Sequence, residues 1–381
     1  MKRILMLASV ASMIDQFNIA NIKLLKDMGN EVHVACNLEN GNTCSDEKIS
    51  ELKALLEKLE VRYFQIDFAR NVTKVTENFK AYKQVLHLLK SNNYYFIHCH
   101  SPIGGFCGRI AAHKTNTKVI YTAHGFHFFK GAPIINWLLY YPVERWLARY
   151  TDVLITINKE DYNRANKSFK AKRVVYIPGI GIDTKKFGKV VVDVSKKRKE
   201  LGVPEDAFLL LSVGELNKNK NHETVIKAIA KLNDQNIYHV ICGQGGLELY
   251  LKDLINELGL DKRVKLLGYR RDIAEISKVS DAFAFSSFRE GLSVALMEAM
   301  ASGLPIICSR IRGNTDLIEE DKGGFIVSSD DINGFACSIG KIRDNIELRN
   351  LMGKFNIEKI KEFDKEVVKS KMATYFGKSF S

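Results

Sequence analysis

Proline and tryptophan are scarce, at 6 and 2 residues among 381. With 46% hydrophobic and 27% charged residues, that composition belongs to a folded globular chain and excludes disorder as the main state. No run of about 18 consecutive apolar residues occurs, so no membrane-spanning helix is expected. The 7 cysteines are odd in number and nowhere spaced Cys-x-x-Cys, which fits reduced thiols in a cytoplasmic protein and not a zinc site. Asp-x-Asp is absent, and Gly-x-Gly-x-x-Gly does not follow the first apolar run, which argues against a nicotinamide-dependent dehydrogenase. Zinc-finger spacing, an RNP-like strand and dense basic blocks are also missing, so nucleic acid is not an expected partner.

What is present is length, basic charge and a regular alternation. At about 100–200 residues per domain, the length suggests two domains with separate cores. The basic, apolar N-terminus lacks a small-residue cleavage site, because Asp15 and Gln16 follow, and it reads as a first buried strand rather than a signal peptide. Net charge is +13, and residues 1–180 carry 25 Lys+Arg against 15 Asp+Glu while residues 181–381 carry 32 against 29. A basic first half favours an anionic partner such as phosphates or lipid head groups.

Short apolar runs alternate with helical periods, the pattern of β/α units around parallel sheets. Strands are expected over 3–9, 31–36, 63–66, 96–100, 118–122, 153–157 and 174–177. Helices are expected over 17–28, 45–59, 76–91 and from about 104. Residues 178–181 and the charged stretch 185–199 break this pattern, and the domain boundary is placed there, giving domains 1–180 and 181–381. The second half restarts with strands over 208–213, 238–242, 264–267, 282–286 and 305–309. The expected architecture is α/β, with two Rossmann-like domains facing across a cleft, and ligands belong at the carboxyl ends of their strands.

The most informative segment runs from Ser286 to Pro305. A buried strand ends at the serines, a tight loop carries Glu290 and Gly291, and a helix starts near Ser293. The backbone N–H groups of Leu292 and Ser293 then sit at a helix N-terminus, which suits a diphosphate. Glu298 lies about two turns into the helix, so one carboxylate reaches sugar hydroxyls while the other reaches a ribose. On spacing alone, an exposed loop Glu and an ordinary helix Glu explain the pair equally well.

Glu-x7-Glu between a Ser-rich strand end and Ala-Met-Ala-Ser-Gly-Leu-Pro resembles the signature of GT-B glycosyltransferases of family 4. Other segments match in order: residues 212–220 with Gly214, Lys218 and Lys220, residues 242–246 with Gly243, residues 267–269 with Gly268 and Tyr269, and residues 312–316. The resemblance implies that Glu290 meets the donor sugar, Glu298 the ribose, and Lys220 the diphosphate, with Lys218 as a substitute. Gly214, Gly243, Gly268, Tyr269, Gly291, Leu292 and Ser293 complete the donor site. Glu215 departs from the pattern, standing where most members have a second phosphate-binding Arg. Either Arg289 or Arg312 replaces it, or Lys220 acts alone.

In the first half, His124 lies just past a strand end and matches the family histidine that contacts the donor sugar near the reacting carbon. His98 and His100 lie at another strand end, and His100 and Ser9 are assigned to the acceptor side. No third ligand at a sensible spacing accompanies these histidines, so no metal site is expected. The loop 8–13 lacks the family's Gly-Gly turn. Residues 126–149 interleave Phe126, Phe128, Phe129, Trp137, Tyr140, Tyr141 and Trp146 with Lys130, Arg145 and Arg149, a mixture suited to a membrane interface. A plain buried helix over 134–147 is the alternative.

The resemblance implies a retaining, metal-independent transferase without a bound cofactor, working by front-face attack. It moves a hexosyl or N-acetylhexosaminyl group from a nucleotide diphosphate sugar, with UDP the expected nucleotide, to a saccharide hydroxyl. The expected acceptor is a polyprenyl-diphosphate-linked saccharide of capsule, exopolysaccharide or O-antigen assembly. The enzyme is expected in the cytoplasm, peripheral at the inner membrane surface, with its last helix free to cross back to the first domain. A sugar-nucleotide epimerase on the same fold remains the alternative.

Overall fold

The computed structural model describes residues 1–39, 45–69, 71–179 and 181–378; Cys44 and Ile180, on which earlier expectations touch, lie outside these. Contacts divide the chain into two units, Met1–Ile180 with Glu366–Ser381, and Gly181–Lys365. The segment after residue 365 therefore groups with the first unit.

The first unit holds seven parallel strands: β1 (Arg3–Val10), β2 (Glu31–Asn37), β3 (Arg62–Gln65), β4 (Phe96–His100), β5 (Lys118–Ala123), β6 (Val153–Thr156) and β7 (Arg173–Tyr176). Their order is β3-β2-β1-β4-β5-β6-β7. β1 is almost wholly buried because both faces are covered, the usual state of a parallel sheet. Ile4, Met6 and Ala8 point to one core with Val368, Met372 and Phe376 of the last helix, and Leu5 and Leu7 point to the other. Helix Pro102–Thr115 packs closely on that second face through glycines. A Cβ on Gly105 would stand 2.5 Å from the Tyr121 ring, and one on Gly108 2.4 Å from Cys99 Sγ.

The second unit repeats the plan with β8 (Phe208–Val213), β9 (Ile237–Cys242), β10 (Val264–Leu266), β11 (Ala282–Phe285), β12 (Ile306–Ser309) and β13 (Gly324–Val327). The order is β10-β9-β8-β11-β12-β13, all parallel. In each sheet the strand order reverses beside the first strand, between β1 and β4 and between β8 and β11. Those are the switch points where α/β sheets open a crevice at their carboxyl ends.

Two local expectations change. The single helix over 17–28 is two helices, Ala11–Phe17 and Ile19–Asp27, broken at the fully buried Asn18. Asn18 Nδ2 donates to the Met13 carbonyl at 2.9 Å, a side-chain bond that competes with continued helix. β13 is an additional edge strand of four residues, too short to show a period of its own.

Candidate active site

In the second unit, loops after β8, β9 and β10 meet through backbone contacts, the closest of which only glycine permits. Gly243 has φ +156°, and a Cβ there would lie 1.9 Å from the Gly214 carbonyl oxygen. Gly243 N–H donates to Gly268 at 2.8 Å and Gly214 N–H to Cys242 at 3.0 Å, so three of the predicted glycines form one framework. Gly214 also makes room for Lys220: its missing Cβ would crowd the lysine stem at 3.2 Å.

Lys220 Nζ is ion-paired with Glu290 Oε1 at 2.7 Å, and the two side chains are only 20% and 14% exposed. Their pairing joins two residues 70 positions apart, because the β8 and β11 loops emerge side by side at the switch point. Asn219 accepts from Phe288 N–H through its carbonyl at 2.8 Å and donates Nδ2 to the Arg289 carbonyl at 3.0 Å, which clamps the two loops together. Ser293 caps helix Val294–Ala301 by accepting from Leu296 N–H at 3.3 Å. The amides of Gly291, Leu292 and Ser293 find no acceptor among the described residues. A half-buried lysine beside unpartnered amides is a site for a doubly charged oxyanion.

Glu298 is half-buried and its carboxylate has no hydrogen-bond or ion-pair partner among the described residues. Burial raises its pKa, and the Lys186 charge opposes that shift. Such a carboxylate gains from a ligand hydroxyl, which replaces the solvation it has lost. Tyr269 and Lys218 are exposed near the same loops and make no ion pair among the described residues. Glu215 is exposed, and its side chain has no partner among the described residues. Of the two replacement cations, Arg289 is exposed, while Arg312 is buried and donates Nε to the Glu290 carbonyl at 3.3 Å. Arg312 thus braces the Glu290 loop. Gly313 brings it there, since a Cβ at that φ of +80° would lie 2.4 Å from the Gly291 carbonyl.

In the first unit, Ser9 ends the buried part of β1 and meets Ser101 across the switch point, Oγ to Oγ at 2.7 Å. Ser101 also accepts from Ser9 N–H at 3.0 Å and holds φ +63°, an uncommon conformation for a non-glycine residue. Nothing local to Ser101 singles it out before folding, because its partner lies 92 residues away.

His100 is 1% exposed, so it does not line the acceptor side directly; it stands behind His124. His100 Nδ1 and His124 Nε2 are 3.0 Å apart, and His100 Nε2 is 3.2 Å from Met6 Sδ. A thioether only accepts, so the His100 proton sits on Nε2. His100 Nδ1 then accepts from His124 Nε2–H, which leaves His124 Nδ1 as a hydrogen-bond acceptor. Phe17 packs 5.4 Å from the His124 ring. His98 lies one pleat deeper, bonded to Thr122 Oγ1 at 2.8 Å and covered by Phe376. Burial pushes His98 down to about 3 and His124 down to about 4, and it holds His100 well below the usual range. All three are neutral at physiological pH. Among the described residues no group of three His, Cys, Asp or Glu side chains is arranged to hold a metal.

The aromatic segment 126–149 is not the plain buried helix of the alternative, and its aromatics divide between the core and the surface, where Trp146 is exposed. Phe126 and Phe128 are buried and stacked 4.8 Å apart in the core. Trp137 packs on Phe128 at 5.7 Å. Helix Ile134–Leu147 instead exposes aliphatic residues, with Ile134 at 73%, Leu138 at 65% and Leu139 at 57%. Its inward face carries Glu144, which pairs with the fully buried Arg109 at 2.9 Å. Among the described residues no helix is long and apolar enough to cross a membrane.

The family model for glycosyl transferases group 1 matches residues 193–359, and that for glycosyltransferase family 4 matches residues 21–186. The putative glycosyltransferase EpsD of Bacillus subtilis is 37% identical over 359 residues, covering 92% of this chain and 90% of that one. The UDP-Gal:alpha-D-GlcNAc-diphosphoundecaprenol alpha-1,3-galactosyltransferase of Escherichia coli is 32% identical over 300 residues, 77% of each chain. Among solved structures, Anabaena Alr3699/HepE in complex with UDP superposes with a TM-score of 0.79 at 20% identity, covering 99% of this chain and 100% of that one. Two parallel Rossmann-like sheets with these loops at their carboxyl ends define a GT-B glycosyltransferase. Within that class, the chain belongs to family 4.

Proposed function

We propose that this glycosyltransferase moves a sugar from a UDP-linked donor to a hydroxyl of a lipid-linked saccharide in bacterial surface-polysaccharide assembly, with retention at the anomeric carbon. The observation that carries the donor half is the Lys220–Glu290 pair at 2.7 Å beside the unpartnered amides of residues 291–293. The Escherichia coli relative is named for a UDP-sugar and a diphosphoundecaprenol-linked acceptor, which supports the substrate classes.

In this reading the donor diphosphate takes Lys220 from Glu290. The released Glu290 carboxylate then accepts hydrogen bonds from the donor sugar, and Glu298 accepts from the ribose. As the bond between the anomeric carbon and the diphosphate oxygen breaks, Lys220 and the loop amides stabilise the charge growing on that oxygen. The acceptor hydroxyl bonds to the same face of the anomeric carbon, and its proton passes to the departing phosphate oxygen. His124 Nδ1 accepts from a donor-sugar hydroxyl near the reacting carbon. No divalent cation is required for these steps. The exposed aliphatic helix and the basic first half hold the enzyme at the inner membrane surface, where a lipid-linked acceptor resides.

The test begins with a panel of nucleotide sugars scored by thermal stabilisation. The best donor is then offered with lipid-linked saccharides in excess EDTA, and the product anomer is read by NMR. Transfer with retention is the expected result. Dependence on added magnesium or manganese would overturn the charge assignment, and turnover of the nucleotide sugar to an epimer without acceptor would replace the transferase reading altogether.

A further inference from the structure

Helix His222–Leu232 starts just after Lys220, with Asn221 as the residue between them. An asparagine at a helix start ordinarily has extended backbone and accepts hydrogen bonds from the amides of the first turn. Asn221 instead holds φ +52° and ψ +42°, in the left-handed region that few non-glycine residues enter. Its side chain caps none of the first-turn amides among the described residues. The helix thus forgoes a stabilising cap at a residue whose backbone is itself uncommon. Local physics does not favour this arrangement, so its reason lies in what the side chain reaches.

Asn221 Nδ2 donates to the Ser329 carbonyl at 2.7 Å and to the Ser286 carbonyl at 3.3 Å. In return, Ser286 Oγ donates to the Asn221 carbonyl at 2.6 Å. One residue therefore ties the loop after β8 to the ends of β11 and β13, which lie 65 and 108 residues away in sequence. The tie continues beneath the Glu290 loop. The Ser287 carbonyl accepts from Ser309 Oγ at 2.6 Å and from Ser329 Oγ at 3.2 Å. Asn314 Nδ2 then donates to the Ser309 carbonyl at 3.0 Å, directly after Arg312 and Gly313, which hold the same loop.

Lys220 sits inside this frame. Its N–H donates to Asn217 Oδ1 at 3.0 Å, its stem lies against Gly214, and its ammonium stands 4.9 Å from the Phe285 ring centre. Phe285 and Ser286 are consecutive, so the ring that the lysine passes and the hydroxyl that holds Asn221 belong to one strand end. A lysine stem is flexible, and the direction in which it leaves the backbone is what a neighbouring residue can fix. We propose that Asn221 is a positioning residue for the donor diphosphate: it fixes the left-handed turn after Lys220, ties it to the β11 and β13 ends, and so aims the ammonium at the Glu290 side of the site. This rests on the diphosphate assignment of the reading above. It adds that the grip of Lys220 is set from behind, by a side chain that acts through the lysine and not on the donor.

Variants of the full chain test this by calorimetric titration with UDP, by turnover of the nucleotide sugar that stabilises the chain best, and by melting temperature. Asn221→Gly keeps the left-handed backbone without strain and removes only the side-chain bonds, so it is the variant least prone to misfold. Its UDP affinity should fall about three- to tenfold, the size of one or two lost neutral hydrogen bonds. Its kcat should fall about tenfold or more, because a misaimed cation is missed most when charge grows on the departing oxygen. Asn221→Ala, which also strains the backbone, should be at least as impaired, and Ser286→Ala should move both quantities the same way by less. Lys220→Ala/Asn221→Gly decides the matter. Once the lysine side chain is gone, adding Asn221→Gly should change UDP affinity and kcat by less than about twofold.

Unchanged UDP affinity and kcat in Asn221→Gly overturn the proposal. So does a loss that is as large in the Lys220→Ala background as in the unmodified chain. A general loosening of the unit does not need the lysine, and that additive result, with a lowered melting temperature, would make Asn221 merely structural. UDP binding that depends on the two residues in the coupled way, with no sugar transferred, would refute the transfer reading and leave the positioning role standing. Transfer that requires Lys220 yet is indifferent to Asn221 would do the reverse.

Discussion

The two units share one topology around their switch points yet line their strand ends with opposite materials. The second unit uses charge: Lys220 and Glu290 face each other at 2.7 Å, and Glu298 has no partner among the described residues. The first unit uses neutrality: His98, His100 and His124 are all kept uncharged by burial, and the serines at its switch point bond to one another. A transferred sugar leaves behind a diphosphate whose charge must be met, while an incoming hydroxyl is neutral until late in the reaction. Under the function proposed above, the difference teaches that each unit matches the charge of the partner it handles.

The sharpest way to break this comparison is at Glu290. Glu290→Gln should lower turnover by roughly 10²–10³-fold, the size of a lost transition-state contact. UDP binding should be kept or tightened, because the carboxylate that competes for Lys220 is gone. Lys220→Ala should weaken UDP by about 10–100-fold, in line with the ~1.5–3 kcal/mol of a charged hydrogen bond. Calorimetric titration of UDP against both variants checks the pair, and equal loss of UDP affinity in the two would end the division of labour between them.

Next in size is the buried ion pair of the first unit. Glu144→Ala leaves Arg109 charged and fully buried, and it should cost about 3–5 kcal/mol in urea unfolding. Breaking the exposed Lys252–Glu248 pair of the second unit, 2.7 Å long, should cost no more than about 1 kcal/mol.

The histidines give a pH test with a defined sign. Native His98 and His124 have values of about 3 and about 4, so an unfolded chain binds protons below pH ~6.5 that the native state does not. Their stability is fully present above pH ~6.5 and declines as pH falls toward 4, by up to about 1.4 kcal/mol per pH unit for each group. Glu298 acts oppositely in the second unit, because its raised pKa favours the native state as it protonates. His222 and His239 of the second unit are held down by burial in the same way as the first unit's histidines, to about 4 and about 3. Hydrogen exchange between pH ~6.5 and ~4.5 should therefore show protection lost around β8 and β9 as well as around β4 and β5. His98→Leu should flatten the trend in the first unit, and an unchanged slope would show that the buried histidines do not set it.

His100→Leu addresses the same ladder kinetically. It removes the acceptor of His124 Nε2–H at 3.0 Å, and kcat should fall about tenfold with UDP affinity unchanged. A positioning role predicts a shift in the pH profile of kcat as well, which a merely structural role would not produce. Glu215→Arg is the smallest change. The residue is exposed and its side chain has no partner among the described residues, so stability should move by less than about 0.5 kcal/mol, while added positive charge near the diphosphate loop should strengthen UDP binding a few-fold.

Residues that act through their own backbone or near neighbours were legible before folding. Gly214, Gly243, Gly268, Glu290, Gly291 and Ser293 lie at strand ends that apolar runs announce, and the loops carry their chemistry in a few consecutive positions. The aromatic segment was misleading for the converse reason. Phe126 and Phe128 are as apolar as Leu138 and Leu139, and only packing tells which pair is inside. Asn18 broke a helix by a bond to its own neighbourhood that composition does not reveal.

The sequence by itself determined the two parallel sheets and the charged half of the site, because strand periods, glycine positions and a loop-borne carboxylate are local properties. Tertiary structure alone decided the rest. The contact between His100 and His124 spans 24 residues and depends on β4 and β5 pairing in the register that sets His100 against Thr122. The Ser9–Ser101 bond spans 92 residues and depends on β1 and β4 becoming neighbours at the switch point. Such contacts carry no periodic signal, since their partners are fixed by how sheets and helices close on one another and not by anything within reach along the chain.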